Sequence, residues 1–232
     1  MTDTPKQSST ASAAAGAAIY TRQLLSVYDL AVIKVSNQLA WRCPAQLTLS
    51  FYNQHLSANH LEVGVGTGYY LDLCRFPSST PRLVLLDLNP NSLHIAIQRL
   101  QRYNPRIVLA NILEPLQIDA PWFDSIALNY VLHCLPGTMQ SKYVVFENLK
   151  LWLNAEGVVF GTTILGQGLH SNYLARKLMR LYNAKGIFCN NEDNLGDLET
   201  ILKHSFRNYW TKVAKTTSTR NKKESCKERS ES

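Results

Sequence analysis

The stretch from His60 to Leu71 reads HLEVGVGTGYYL. An apolar strand pattern runs directly into three glycines at alternate positions, Gly64, Gly66 and Gly68, and a helical pattern follows them. Glycine tolerates positive φ and lets a ligand approach backbone that any side chain would shield. A strand–glycine loop–helix turn of this kind cradles a nucleotide-like ligand at the carboxyl edge of a parallel sheet. Few architectures accommodate it, so the chain is expected to be α/β.

The rest of the sequence agrees. Short apolar runs at Leu61–Val65, Leu83–Leu88, Ile107–Ala110, Ser125–Asn129 and Val158–Ile164 read as strands. Helical patterns fill the gaps at Gly68–Arg75, Pro90–Tyr103 and Met139–Leu153, and two more follow at His170–Tyr182 and Leu195–His204. Asn89-Pro90 is a strong helix start, with Asn as cap and Pro in the first turn. Near-continuously apolar strands alternating with helices imply a mostly parallel sheet covered on both faces, and right-handed crossovers make it doubly wound and Rossmann-like. Upstream, Ile19–Trp41 carries Leu24, Tyr28, Ala31, Val35 and Leu39 at helical spacing, and Pro44 starts a second helix that ends before Leu56. Residues 19–56 are therefore expected to form a helical cap on a domain spanning 19–214. Residues 1–18 are Ser, Thr and Ala with little to bury and are expected to be disordered.

Composition excludes several classes. With 232 residues, 45% of them hydrophobic, the chain supports one well-cored domain. No run of about 18 apolar residues suggests a membrane span, and the start lacks a signal-peptide pattern, so a soluble cytoplasmic protein is expected. Cys43, Cys74, Cys134, Cys189 and Cys226 are scattered and never form a C-x-x-C pair, which argues against both a disulfide framework and a metal site. From Thr211 to Ser232 seven Lys or Arg stand against three Glu, a net +4, which leaves +3 of the overall +7 for the rest. Residues 215–232 read as a solvated basic tail, so no nucleic-acid or membrane partner is expected.

The glycine spacing narrows the ligand. A dinucleotide site has G-x-G-x-x-G, whereas this loop is G-x-G-x-G followed by Tyr69, which argues against a dehydrogenase. Glu62 stands two residues before the first glycine. An acid so close repels a pyrophosphate. It suits the cationic amino-acid end of S-adenosylmethionine, which carries a sulfonium and an ammonium but no phosphate. Asp87 ends the next strand, nineteen residues beyond Gly68, where a carboxylate can accept both ribose hydroxyls. Taken alone, Asp87 reads as a solvent-facing loop residue; jointly with the glycine loop, the ribose-binding reading prevails.

The E-x-G-x-G-x-G loop, the Asp ending the second strand and the run Phe123-Asp124-Ser125-Ile126-Ala127-Leu128-Asn129 resemble the motifs of class I S-adenosylmethionine-dependent methyltransferases of the small-molecule type. The resemblance covers about Tyr20 to Phe206. It implies that Glu62 and the glycine loop hold the methionine part, Asp87 the ribose, and Leu88 the adenine face. It also implies that Asn111 and Ile112 flank the adenine and that Asn129 sits beside the methionyl end. Many members have an acidic residue at the position of Asn111.

The acceptor is less legible. The segment Asn129-Tyr130-Val131-Leu132-His133 lacks the N/D-P-P-Y motif of base-methylating enzymes, so a small organic acceptor, methylated at oxygen, is expected; a place in secondary metabolism is implied only by the resemblance of the Trp41–Pro44 and Asn183–Phe188 runs to microbial and fungal enzymes. An O–H acceptor must lose a proton, and His133 lies on the right loop to take it. The competing reading is that His133 only packs the loop; His170 and His204 fall on amphipathic stretches. Tyr20, Tyr28, Trp41 and Tyr173 are candidates for a substrate lid, with Tyr182 nearby, though residue by residue ordinary core packing is the favoured reading. The Trp41–Pro44 and Asn183–Phe188 runs resemble a subgroup of microbial and fungal enzymes. Six to seven strands are expected here; in the family an antiparallel hairpin normally closes the sheet, the last strand inserted between the fifth and sixth. Arg207–Ala214 reads as the sixth, and no apolar run follows for a seventh, so the final strand is missing or altered. An alternative follows from that loss: a methyltransferase-like protein that binds the donor without turnover.

Overall fold

The computed structural model describes residues 41, 43–168 and 172–214. Tyr20, Tyr28, His170 and both terminal segments lie outside these residues, as does the expected first helix apart from Trp41. Helix α1 (Ala45–His55) begins after Pro44, whose fixed φ and missing N–H suit a helix start. There follow β1 (Asn59–Val63), α2 (Tyr69–Leu73), β2 (Arg82–Asp87), α3 (Pro90–Arg99), β3 (Arg106–Leu109), β4 (Phe123–Asn129), α4 (Tyr143–Lys150), β5 (Leu153–Thr162), α5 (Tyr173–Ala184) and α6 (Leu195–Ser205).

Asparagine sets three of these helix starts. The Asn89 side chain accepts from Asn91 N at 2.8 Å, Asn172 from Ala175 N at 2.7 Å and Asn194 from Asp197 N at 2.9 Å. Each satisfies an amide that the first helical turn leaves without a partner.

The strands form one parallel sheet in the order β3-β2-β1-β4-β5. The order reverses between β1 and β4, so a crevice opens there at the carboxyl ends of the strands. Strand alternation sends Leu61, Val63, Val84, Leu86, Ile126 and Leu128 against α4 and α6. The opposite face, with Leu83, Leu85, Ala127 and Phe160, packs on α1, α2 and α3. Burial on both faces explains why these strands are nearly continuous apolar runs.

Two expectations change. The described residues contain five strands, not six or seven. Arg207–Ala214 has no ladder partner: Trp210 rests on the rings of Phe51 and His55, and Thr211 Oγ1 donates to Glu199 Oε1 at 2.6 Å. Side-chain anchors thus hold this segment beside α1 and α6. It is exposed over most of its length and offers the sheet no apolar face. The helix expected over Met139–Leu153 is shorter, because β5 starts at Leu153 opposite Phe123 and reaches Val158 through a register shift.

Candidate active site

The three glycines have three different physical reasons. All adopt positive φ, at 67°, 55° and 74°. A Cβ on Gly64 would strike Val131 Cγ2, so this glycine lets the loop after β4 close against the loop after β1. A Cβ on Gly66 would meet nothing within 4 Å, so this backbone faces open space. A Cβ on Gly68 would crowd Leu100 and Ala96, where α2 packs on the end of α3.

Asp87 lies opposite Gly66. Its carboxylate accepts from Asn89 N at 2.8 Å and from Gly66 N at 3.3 Å. Burial pushes its pKa up to about 6, against the pull of the backbone amides of Asn89, Gly66 and Leu88. Leu88 follows it, half-buried. Beyond β3, the Asn111 side chain accepts from Leu113 N at 3.1 Å and donates to Glu114 Oε1 at 3.1 Å. Ile112 is buried in the core.

Glu62 points to the α1 side of the sheet and is buried. Tyr52 Oη donates to its Oε1 at 2.6 Å, and His60 Nε2 stands 3.1 Å from Oε2. The carboxylate is therefore already engaged on both oxygens. Asn129, at the end of β4, accepts from Thr162 Oγ1 at 3.1 Å, while its buried Nδ2 has no hydrogen-bond partner among the described residues.

Just past Asn129, Tyr130 adopts a φ of 58°, a conformation that costs a non-glycine residue energy and clusters at functional sites. The turn lays its ring parallel to Tyr70 at 6.2 Å, and Tyr70 in turn stacks on Tyr52 at 5.6 Å. Tyr130 Oη lies 3.1 Å from Thr48 Oγ1 and donates to Cys43 Sγ at 3.6 Å. Burial raises the Tyr130 pKa, and neighbouring Tyr70 and Cys43 add to the rise, so its hydroxyl stays protonated.

His133 is buried against Phe188, ring centroids 4.5 Å apart and nearly perpendicular. Its Nδ1 accepts from Ile164 N at 3.4 Å, with Thr163 Oγ1 at 3.5 Å. Burial, and then the charge of Lys142, push its pKa down to about 3. Phe188 also meets Tyr182 at 5.0 Å and Trp41 at 6.0 Å. The two runs singled out in the sequence thus touch. Tyr173 stands 70% exposed on the first turn of α5 and does not join this cluster among the described residues.

Sequence reasoning missed Tyr52, His60, Tyr70, Tyr130 and Phe188. His60 carried a signal: it is two residues from Glu62 in a strand, so the two side chains share a face. The tyrosines gave no such warning, since aromatic residues at these positions read as core.

A family profile described as a methyltransferase domain matches residues 61–159, from β1 into β5. A demethylluteothin O-methyltransferase from Streptomyces thioluteus is 43% identical over 191 residues, covering 82% of this chain and 83% of that protein. The chain belongs to the class I S-adenosylmethionine-dependent methyltransferases. A physcion biosynthesis cluster O-methyltransferase from Aspergillus chevalieri is 39% identical over 193 residues, 82% of this methyltransferase and 86% of that one. An O-methyltransferase family protein from Burkholderia thailandensis shares the fold at a TM-score of 0.55 and 13% identity, covering 81% of this chain and 55% of that one. The methyl donor is S-adenosylmethionine, and relatives named as methyltransferases disfavour a donor-binding protein without turnover.

Proposed function

We propose that this methyltransferase transfers the donor methyl to an oxygen of a small, flat, apolar acceptor held against Trp41, Phe188, Tyr182 and His133. The observation that carries the reading is this ring cluster beside the end of β4, where the described site is aromatic and few polar groups converge. The two relatives named above are both O-methyltransferases.

In this reading the donor lies along the crevice. Gly66 leaves room for it, and Asp87 accepts the ribose hydroxyls with Leu88 against the adenine. Ile112 and Asn111 flank the ring on the β3 side, Asn111 through the part of its side chain that its local turn leaves available. The methionyl end lies over Gly64 and Gly68, between buried Glu62 and Asn129, whose unsatisfied Nδ2 has a donor's hydrogen to offer its carboxylate.

Methyl transfer needs the acceptor oxygen in line with the sulfonium methyl, so much of the catalysis is positioning. His133 is the candidate base. A pKa near 3 keeps its imidazole neutral, as a base must be, and also makes it a weak one. It therefore suits an acceptor whose hydroxyl is itself acidic, a phenol or an enol, over an alkyl alcohol. Trp41 forms the N-terminal side of the acceptor wall; Tyr20, Tyr28 and Tyr173 are further lid candidates. The scattered free thiols favour a cytoplasmic enzyme, with a small molecule as partner and neither nucleic acid nor membrane required.

The test is to incubate the enzyme with methyl-labelled donor and a panel of phenols, enols and matched alkyl alcohols, and to identify products by mass spectrometry. Label on phenolic or enolic oxygen supports the reading. Label on nitrogen, carbon or alkyl alcohols alone overturns it.

A further inference from the structure

Beneath the glycine loop a hydrogen-bonded chain runs the length of β1. It starts at Tyr52 Oη, which donates to Glu62 Oε1 at 2.6 Å. It continues from Glu62 Oε2 to His60 Nε2 at 3.1 Å and from His60 Nδ1 to Ser125 Oγ at 2.8 Å. Ser125 Oγ lies 2.8 Å from Ser57 Oγ, which donates to the Asn59 carbonyl at 2.8 Å. Tyr52, His60, Glu62 and Ser125 are buried, and only Ser57, at the far end, reaches the half-buried rim. Among the described residues, His60 is the one basic side chain within ion-pair distance of Glu62.

Hydrogen accounting shows that this chain satisfies two protonation states without moving a heavy atom. With one proton fewer, His60 Nε2–H donates to Glu62, Nδ1 accepts the Ser125 hydroxyl hydrogen, and Ser57 turns its hydrogen to Ser125 Oγ. With one proton more, Nδ1–H donates to Ser125 Oγ, Ser125 turns its hydrogen to Ser57 Oγ, and the Ser57 hydrogen goes to the Asn59 carbonyl. The Ser57 amide donates to Ser125 Oγ at 2.9 Å in both states. The groups facing it add no competing charge partner. α1 contributes Tyr52, and burial together with Glu62 holds the Tyr52 pKa well above its usual value, so its proton is not the mobile one. α2 contributes Tyr70 and Cys74, whose thiol burial pushes up to about 12, with Arg102 acting on it from beyond α3. β5 and the loop after α2 contribute the apolar rings of Phe160 and Phe76.

We infer that the His60–Glu62 pair is a charge-compensating proton switch for the donor: the pair holds one proton more when the site is empty and releases it through Ser125 and Ser57 when the cationic sulfonium binds. The inference rests on the donor placement proposed above, with the methionyl end over β1. Buried charges of like sign repel strongly, so adding the sulfonium favours losing the proton. Methyl transfer removes the sulfonium charge: the S–CH3 bond breaks, its electron pair stays on sulfur, and the methyl bonds to the acceptor oxygen. The neutral thioether product then lets the pair take its proton back from solvent by the same path.

Linkage makes this measurable without knowing the acceptor. Titrate the full chain calorimetrically with S-adenosylmethionine and, separately, with S-adenosylhomocysteine, in buffers of differing ionisation enthalpy, from pH 5.5 to 8.5. Repeat both with His60→Gln, which keeps a donor toward Glu62 but cannot titrate. The ligand's own amino group titrates alike against both proteins, and Asp87 acts alike on both ligands, so these terms cancel in the differences. For the wild type we expect S-adenosylmethionine to release up to about one proton more than S-adenosylhomocysteine. Its affinity should then rise by up to about tenfold per pH unit in that window. The excess should vanish in His60→Gln. Equal proton release for the two ligands throughout the range, or an excess that survives His60→Gln, overturns the inference. If His60→Gln does not fold, His60→Asn, which cannot titrate either, takes its place. Failure of both ligands to bind folded wild-type protein counts instead against the donor site itself.

Discussion

In the proposed donor site, Asp87 is the residue at which binding meets pH. Its folded pKa of about 6 lies above the usual carboxylate value of 3.8 because of burial. Between those values the folded state holds the proton more tightly than the unfolded one. This group's contribution to stability is therefore full at low pH and lost as pH rises through about 6. The proposed donor binding runs the other way, since accepting two ribose hydroxyls would need the carboxylate. We expect the affinity for S-adenosylhomocysteine to fall as pH drops below about 6 and to lose that dependence in Asp87→Asn, measured by calorimetry between pH 5 and 8. His133 makes a separate prediction. Loss of a general base costs about 10²-fold to 10⁴-fold in rate, so His133→Ala should lower kcat by at least that lower figure while S-adenosylhomocysteine affinity stays within a few-fold. Unchanged kcat would reduce His133 to a packing group. The glycine loop was legible because positive φ at three alternate positions demands glycine, and Asp87 because it ends the next strand, beside that loop. His133 was legible as a position, but its burial under Phe188 was not, since that contact joins residues far apart in sequence.

Between elements, the strap after α5 is the part of the acceptor side with the most internal support. Lys142, just before α4, is fully buried and donates to Asp193 Oδ2 at 2.7 Å and to the Cys189 carbonyl at 2.8 Å. The Cys189 amide donates to the His133 carbonyl at 2.8 Å, and Asn190 Nδ2 to the Ile164 carbonyl at 2.7 Å. The strap that carries Phe188 is thus tied to the loops after β4 and β5. Removing one member of a buried ion pair strands the other, at a cost of about 3–5 kcal/mol. We expect Lys142→Met to lose that much stability in denaturant unfolding, and the double variant Lys142→Met/Asp193→Leu to recover much of it. No recovery would mean that the two residues contribute independently. Nothing in the sequence paired them: a lysine at a helix start and an aspartate in a loop both read as surface. The strands and most helices, by contrast, followed from apolar periodicity, and their boundaries moved only where β5 began early and α4 was cut short.

At the scale of the molecule, the sheet order places the proposed donor-side residues on β1, β2 and β4 or in the loops that leave these strands and β3. That half was readable because parallel strands repeat one pattern, and sheets of this kind take ligands where the strand order reverses. The C-terminal edge was not, because RNYWTKVA has the aromatic and β-branched residues of a strand, yet its Trp210 and Thr211 find side-chain anchors on α1 and α6. Truncating after Phe206 should therefore lower thermal stability, while leaving the affinity for S-adenosylhomocysteine within a few-fold of the full chain. The most direct test of the whole account is calorimetric titration of the folded protein with S-adenosylhomocysteine, alongside Asp87→Ala. The account predicts saturable one-site binding to the wild type, weakened in the variant by about 1–3 kcal/mol for hydrogen bonds lost from a charged acceptor. Folded protein that does not bind, or an Asp87→Ala variant that binds as tightly, would contradict it.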